Sequence, residues 1–323
     1  TDTWSIDWSS DPLVASLLTA AQNTAMGIVM TGEAAGDTVT NMENINANNS
    51  ASAVLYGNAG ANTLQGTGTL EGFAGADYLN GSATAVASYA NAGNAYLASQ
   101  GVTTAVGLGV TATLTASFSV GPAVIATGDA AGDTYGGNTV NLQGSAFADI
   151  LIGSSSANIL DGGSGDDVLE GLGNADVFRG GAGSDTVSYA HSTAAVVVDL
   201  SNGGAITMTN DAVGDQFVGI ENLTGSGYGD SLYGDANDHV LIGGGGDDTL
   251  NGMGGYDTAS YASATGAVTI NLTANTVSGA AGNDTLVNIE RVIGSNYADS
   301  IVGSAGDDWI DGGSGATTGE SIS

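Results

Sequence analysis

One nonapeptide, repeated in register, limits what this chain can fold into more than any other feature. From Gly144 to Ser188 five units follow without a gap: GSAFADILI, GSSSANILD, GGSGDDVLE, GLGNADVFR and GGAGSDTVS. Glycine opens every unit. The sixth position holds Asp149, Asn158, Asp167, Asp176 and Asp185, and the eighth holds Leu151, Leu160, Leu169, Phe178 and Val187. A second run, Gly225 to Ser260, places Asp230, His239, Asp248 and Asp257 at the sixth position. A third, from Gly294, carries Asp299 and Asp308 and fails at Thr317. An eroded run near the front keeps Asp77, and Ala85 stands where the next acid belongs. Such a period marks a repeat architecture, in which each unit buries its apolar face only against its neighbours.

The last three residues of a unit, such as Val168-Leu169-Glu170, suit a short strand with the eighth side chain inward. One unit is then half a coil and two complete a turn. Asp149, Asp167 and Asp185 fall on one edge, and Asn158 and Asp176 on the other. Asp230 shares an edge with Asp248, and His239 with Asp257. Glycines at the first, second and fourth positions are Gly162, Gly163 and Gly165; Gly180, Gly181 and Gly183; Gly243, Gly244 and Gly246. They let the backbone take conformations closed to residues with a Cβ and turn several carbonyls to one point. The sixth-position aspartate adds a carboxylate there. Carbonyl and carboxylate oxygens together suit Ca2+, and no nitrogen or sulfur donor recurs to suggest zinc or copper. A lone aspartate reads as a turn cap; one in a matched repeat reads as a ligand. His239 and Asn158 are poorer donors at that place.

These units resemble the GGxGxDxUx signature of the RTX (repeats-in-toxin) family, the hemolysin-type calcium-binding repeat of bacterial surface-layer and type I secreted proteins. GGSGDDVLE, GGAGSDTVS and GGGGDDTLN match it throughout. The resemblance implies an all-β fold, a calcium-bound parallel β-roll, with several Ca2+ ions. Its expected ligands are Asp77, Asp149, Asp167, Asp176, Asp185, Asp230, Asp248, Asp257, Asp299 and Asp308 together with the nine glycines just named.

The charge balance fits cation binding. There are 34 acidic residues against two basic ones, Arg179 and Arg291, giving a formal net charge of -32. A fold so charged repels itself unless cations sit on it. Nucleic acid and membrane insertion are excluded as partners, since contact with phosphates and anionic lipid needs Lys and Arg. Zero cysteine rules out a disulfide scaffold and thiolate chemistry. Stacked carboxylates without metal repel one another, so ion binding is expected to drive folding.

A longer repeat encloses the short one. TGEAAGDT at Thr31 returns as TGDAAGDT at Thr127, with weaker copies TNDAVGDQ at Thr209 and SGAAGNDT at Ser278. Ser-Tyr-Ala closes modules at Ser88, Ser188 and Ser260, and AVVVDL at Ala195 matches AVTINL at Ala267, both reading as strands. About four tandem modules follow. Residues 1–90 are an N-terminal cap with a degenerate module. Residues 91–190 carry a strand-rich insert and five nonapeptides. Residues 191–262 form a third module and 263–323 a C-terminal one. Glu33, Glu43, Glu221 and Glu290 recur with the modules and read as structural or as accessory cation ligands. Strict alternation from Val110 to Val120 predicts a half-buried strand rather than a membrane span. At the front, Asp11-Pro12 followed by Leu13, Val14, Leu17, Leu18 and Ala21 predicts a short helix. Trp4, Ile6 and Trp8 alternate as an edge strand would.

No HExxH, GxSxG elbow or phosphate loop is present, and the acidic pairs Asp166-Asp167, Asp247-Asp248 and Asp307-Asp308 recur with the repeat. The expectation is therefore no enzyme but an extracellular structural protein of a bacterial cell surface. It would leave by type I secretion and assemble with itself as a surface layer, filament or adhesin component. Two alternatives stand beside it. One is the non-catalytic region of a secreted enzyme or toxin. The other is an adhesin module for cell-surface polysaccharide, with Tyr89 and Tyr96 as its aromatic candidates.

Overall fold

A computed structural model describes residues 3–5, 13–18, 23, 44–47, 53–74, 77–81, 86–90, 111–113, 134–137, 141–201, 206–306, 308–315 and 321–322. They are built almost entirely of short strands, and most of these pair in parallel. The chain divides into two compact units, Thr1–Leu169 with Arg179–Gly183, and Glu170–Phe178 with Ser184–Ser323.

In the first unit one sheet runs Thr3–Ser5, Asn44–Asn46, Thr63–Gly66, Tyr78–Gly81 and Thr134–Gly137, every pair parallel. The second runs Leu13–Ser16, Ala53–Tyr56, Thr69–Glu71, Val86–Ser88, Asn141–Gln143 and Ile159–Ser164, again all parallel. Thr111–Thr113 pairs with Ile150–Ser154, which places part of the alternating segment in a strand; residues 114–120 lie outside the described residues.

The second unit repeats the plan. One sheet is Thr186–Ser188, Asn222–Thr224, Val240–Ile242, Thr258–Ser260, Arg291–Ile293 and Trp309–Asp311. The facing run is Val197–Asp199, Ser231–Tyr233, Thr249–Asn251 and Thr285–Val287. An antiparallel hairpin, Val268–Asn271 with Thr276–Gly279, then carries the sheet to Ser300–Val302. Consecutive nonapeptides thus alternate between the two sheets, while strands eighteen residues apart lie side by side: Leu223 opposite Leu241, Leu232 opposite Leu250. The expected half-coil per nonapeptide is what the chain makes.

In each compact unit the core is built from eighth-position side chains: Leu160 and Leu169 are fully buried in the first, and Phe178, Val187, Leu232, Leu241, Leu250 and Ala259 in the second. A three-residue strand exposes its first and last side chains and buries its middle one, so one large aliphatic per unit suffices. Phe178 stacks on Phe217 at 5.7 Å between ring centroids.

Two readings of the sequence are corrected. Leu13–Ser16 is a strand, not the start of a helix. Leu13, Ala15 and Leu17 alternate as well as recurring at helical spacing, and parallel pairing with Ala53–Tyr56 buries all three; tertiary pairing overrides the local pattern. Asp11, Pro12 and Ala21 lie outside the described residues. Tyr89 is only 1% exposed, so it cannot present an aromatic binding platform, and Tyr96 lies outside the described residues. Thr3–Ser5 does end its described sheet, as expected of an edge strand; Ile6 and Trp8 lie outside.

Candidate metal centre

Each sixth-position side chain sits at the bend between a glycine-rich turn and the strand that follows. There Asp248, Asp257 and Asp167 meet the backbone of the coil before them. Asp248 Oδ1 accepts the N–H of Asp230 at 2.8 Å, Asp257 Oδ1 accepts that of His239 at 2.8 Å, and Asp167 Oδ1 accepts that of Asp149 at 2.8 Å. The interval is eighteen residues in all three. Asp77 Oδ1 takes the N–H of Asn62 at 2.7 Å. The carboxylates therefore stack along the edges assigned from the sequence and are buried there.

The glycines do two different jobs. At the second and fourth positions they supply positive φ: 96° at Gly244 and 113° at Gly246, with Gly163, Gly165, Gly181 and Gly183 alike. At the first position the need is space. A Cβ on Gly243 would collide with Asp248 Oδ2, and one on Gly162 with Asp167 Oδ2. Gly180 presents its carbonyl to the same place beside Gly162. The first-position glycine thus makes room for a carboxylate instead of bending the chain.

The ladder is longer than the matched nonapeptides. Beyond Asp176 the next rung is Asp215, whose Oδ1 accepts the Asp176 N–H at 2.8 Å. Beyond Asp248 it is Asp284, at 3.0 Å. Glu221 Oε2 accepts the N–H of Asp185 at 2.9 Å, and Glu290 Oε2 that of Asp257 at 3.0 Å. Glu221 and Glu290 are therefore rungs of the ladder; Glu33 and Glu43 lie outside the described residues. Asp215 and Asp284 were missed as sixth-position equivalents. Their signal was present: each precedes a strand with an inward apolar residue, Phe217 and Leu286, in the register of Asp-x-Leu. Tyr189, of the Ser-Tyr-Ala closure, is buried and donates its hydroxyl to Asp215 Oδ2 at 2.7 Å. There a proton donor of the chain finishes the edge.

His239 stands in for aspartate by geometry. Its Nε2 lies 3.0 Å from the Asp235 backbone nitrogen and 2.9 Å from Asp235 Oδ1, and its Nδ1 lies 3.0 Å from the Glu221 carbonyl, which can only accept, so Nδ1 carries a proton.

Burial pushes these carboxyls up. Asp248 rises from an ordinary 3.8 to about 7, through desolvation first and then repulsion from Asp284, Asp230 and Asp247. Asp257 rises to about 6 by desolvation, with Glu290 and Asp238 adding repulsion. Asp215 also rises to about 6, again by desolvation, and is restrained by the Asp176 N–H and the Tyr189 hydroxyl. Free carboxylates in such places cost energy unless a cation or proton joins them.

Whether a cation fits can be tested at single atoms. Oδ2 of Asp248 and Oδ2 of Asp257 are buried and make no hydrogen bond. A buried carboxylate oxygen without a proton donor is a cation ligand in waiting. Among the described residues no three His, Asp or Glu side chains converge. Backbone carbonyls of the glycine turns are then the further protein donors on offer: the Ser226 carbonyl lies against Gly244, and the Gly246 carbonyl against Gly282. One carboxylate with many carbonyls is a hard-oxygen set suited to Ca2+ and to neither zinc nor copper.

A family model described as the RTX calcium-binding nonapeptide repeat, in four copies, matches residues 50–68, 135–169, 152–187, 224–259, 271–287 and 288–318. The chain belongs to the RTX repeat family. RTX nonapeptides are calcium-binding motifs, and the chain has a calcium-binding structural role. The match at 271–287 takes in the Asp284 coil, whereas the RTX-like coil of Asp77 lies outside the matched segments. No individual curated protein matches the chain. Among the described residues no helix is long and apolar enough to cross a membrane.

Proposed function

We propose that this RTX chain is an extracellular bacterial structural protein that folds on several Ca2+ ions and then assembles with itself. The observation that carries this reading is the pair of buried, donorless oxygens on Asp248 and Asp257, set in a chain of net charge -32. Without cations the ladder is a column of buried like charges; with them each coil is fastened to the next. That makes external calcium a folding signal. The chain would cross a type I channel unfolded in the low-calcium cytosol and fold outside.

Self-assembly as a surface layer, filament or adhesin component is supported by the parallel sheets. Trp309–Asp311 ends its described sheet, with Trp309 45% exposed and the Arg291 guanidinium 4.5 Å from its ring. An end strand of this kind offers unpaired backbone groups to a further strand. Binding to cell-surface polysaccharide has less support, since Tyr89 is buried. Electron microscopy of the purified chain with calcium and with EGTA tests assembly. Ordered polymers in millimolar calcium only are expected; monodisperse particles there would overturn the assembly reading.

A further inference from the structure

The residue at the second position divides the coils into two kinds. In the closed kind it is Ser, Asn or Asp with ordinary backbone, and its N–H donates to the sixth-position side chain. Ser226 reaches Asp230 at 2.5 Å, Ser295 reaches Asp299 at 2.6 Å, Ser145 reaches Asp149 at 2.5 Å and Ser304 reaches Asp308 at 2.5 Å. Each of those serines adds its hydroxyl to the same carboxylate. The N–H groups of Asn58, Ser154 and Asp235 reach Asn62, Asn158 and His239 in the same way.

In the open kind the second residue has positive φ: 96° at Gly244 and 71° at Met253, with Phe73, Gly163, Leu172 and Gly181 alike. Asp248 and Asp257 show the consequence. They are 2% and 0% exposed, and no N–H reaches their second oxygen. Leu172, Phe73 and Met253 hold this conformation despite a Cβ, which disfavours it, so the fold enforces it. The sixth position follows the division. Closed coils tolerate Asn62, Asn158 and His239, whereas the open coils of Phe73, Gly163, Leu172, Gly181, Gly244 and Met253 all carry aspartate; Gly313, at φ 81°, belongs to the terminal unit whose sixth residue is Thr317. Three closed coils directly precede an open one on the same edge: Asp230 before Asp248, His239 before Asp257, Asn62 before Asp77.

We propose that the second-position residue decides what neutralises the carboxylate at the sixth. With Ser, Asn or Asp the chain closes it with its own donors, and with positive φ it is left for Ca2+. Asp248 and Asp257 are then calcium ligands, while Asp230, Asp299 and Asp308 need no ion on the carboxylate. This rests on the calcium-binding reading above and assigns its sites residue by residue.

The test is bound calcium per full-length chain, measured by equilibrium dialysis against Ca2+ alone, with folding followed by circular dichroism. Asp248→Asn and Asp257→Asn are each expected to lose an ion, and Asp230→Asn and Asp299→Asn none. Met253→Ser, which installs a closing residue in an open coil, should lose one; Ser226→Gly should lose none. Loss of an ion by Asp230→Asn or Ser226→Gly, or full retention by Asp257→Asn, overturns the rule. Should Met253→Ser fail to fold, the Asp230→Asn and Asp257→Asn pair still decides. A wild-type chain that binds no calcium would instead overturn the calcium reading itself.

Discussion

A single hydrogen bond shows how residues here stand in for ions. Tyr189 hands its hydroxyl to a buried carboxylate, Asp215, at the end of an edge. Removing that hydroxyl leaves Asp215 Oδ2 without its donor in a desolvated place. Tyr189→Phe should cost about 1–3 kcal/mol, read by denaturant unfolding in calcium, while Tyr228→Phe at an exposed ring should cost almost nothing. The sign of the pH dependence follows. Asp215 is already raised to about 6 from 3.8, and loss of the hydroxyl raises it further. A carboxyl whose folded value lies above its unfolded one stabilises the fold below the unfolded value, and that contribution is lost as pH rises through the folded value. The Tyr189→Phe deficit should therefore be larger at pH 8 than at pH 5. An equal deficit at both would place the role of Tyr189 in packing alone.

One strand per nonapeptide leaves each coil dependent on a single apolar side chain. Leu241 is fully buried between Leu223 and Ala259 in its sheet. Leu241→Ala should cost about 2–5 kcal/mol through lost burial and the cavity left behind. The loss should appear as a lower unfolding midpoint in calcium; an unchanged midpoint would show that the column is not the core. This element was fully legible in the sequence, because the eighth position repeats without exception in the matched runs. The ladder of sixth-position carboxylates was legible for the same reason. Asp215 and Asp284 were not, since the glycines that flag a turn are thinned there and the chain between coils is longer. The second-position switch was hidden too: Ser226 and Gly244 look interchangeable in a nonapeptide, and only backbone φ separates them. Leu13–Ser16 misled because four residues fit two periods at once, and only a partner strand can choose between them.

At the scale of the molecule, a net charge of -32 and a column of buried carboxylates describe a chain that lacks its own counterions. Arg179 and Arg291 are far too few to balance it. Stability must then be linked to calcium by mass action, rising with the free ion concentration once it exceeds the dissociation constant. Burial raises Asp248 and Asp257, so protons compete with calcium for the same oxygens and calcium binding is coupled to proton release. The measurement that bears most directly on this account is far-ultraviolet circular dichroism of the chain titrated from EGTA into calcium at neutral pH. The account predicts little β-sheet signal in EGTA and a cooperative gain of it as calcium is added, with magnesium unable to substitute. A full β-sheet spectrum in EGTA, unchanged by calcium, would contradict it.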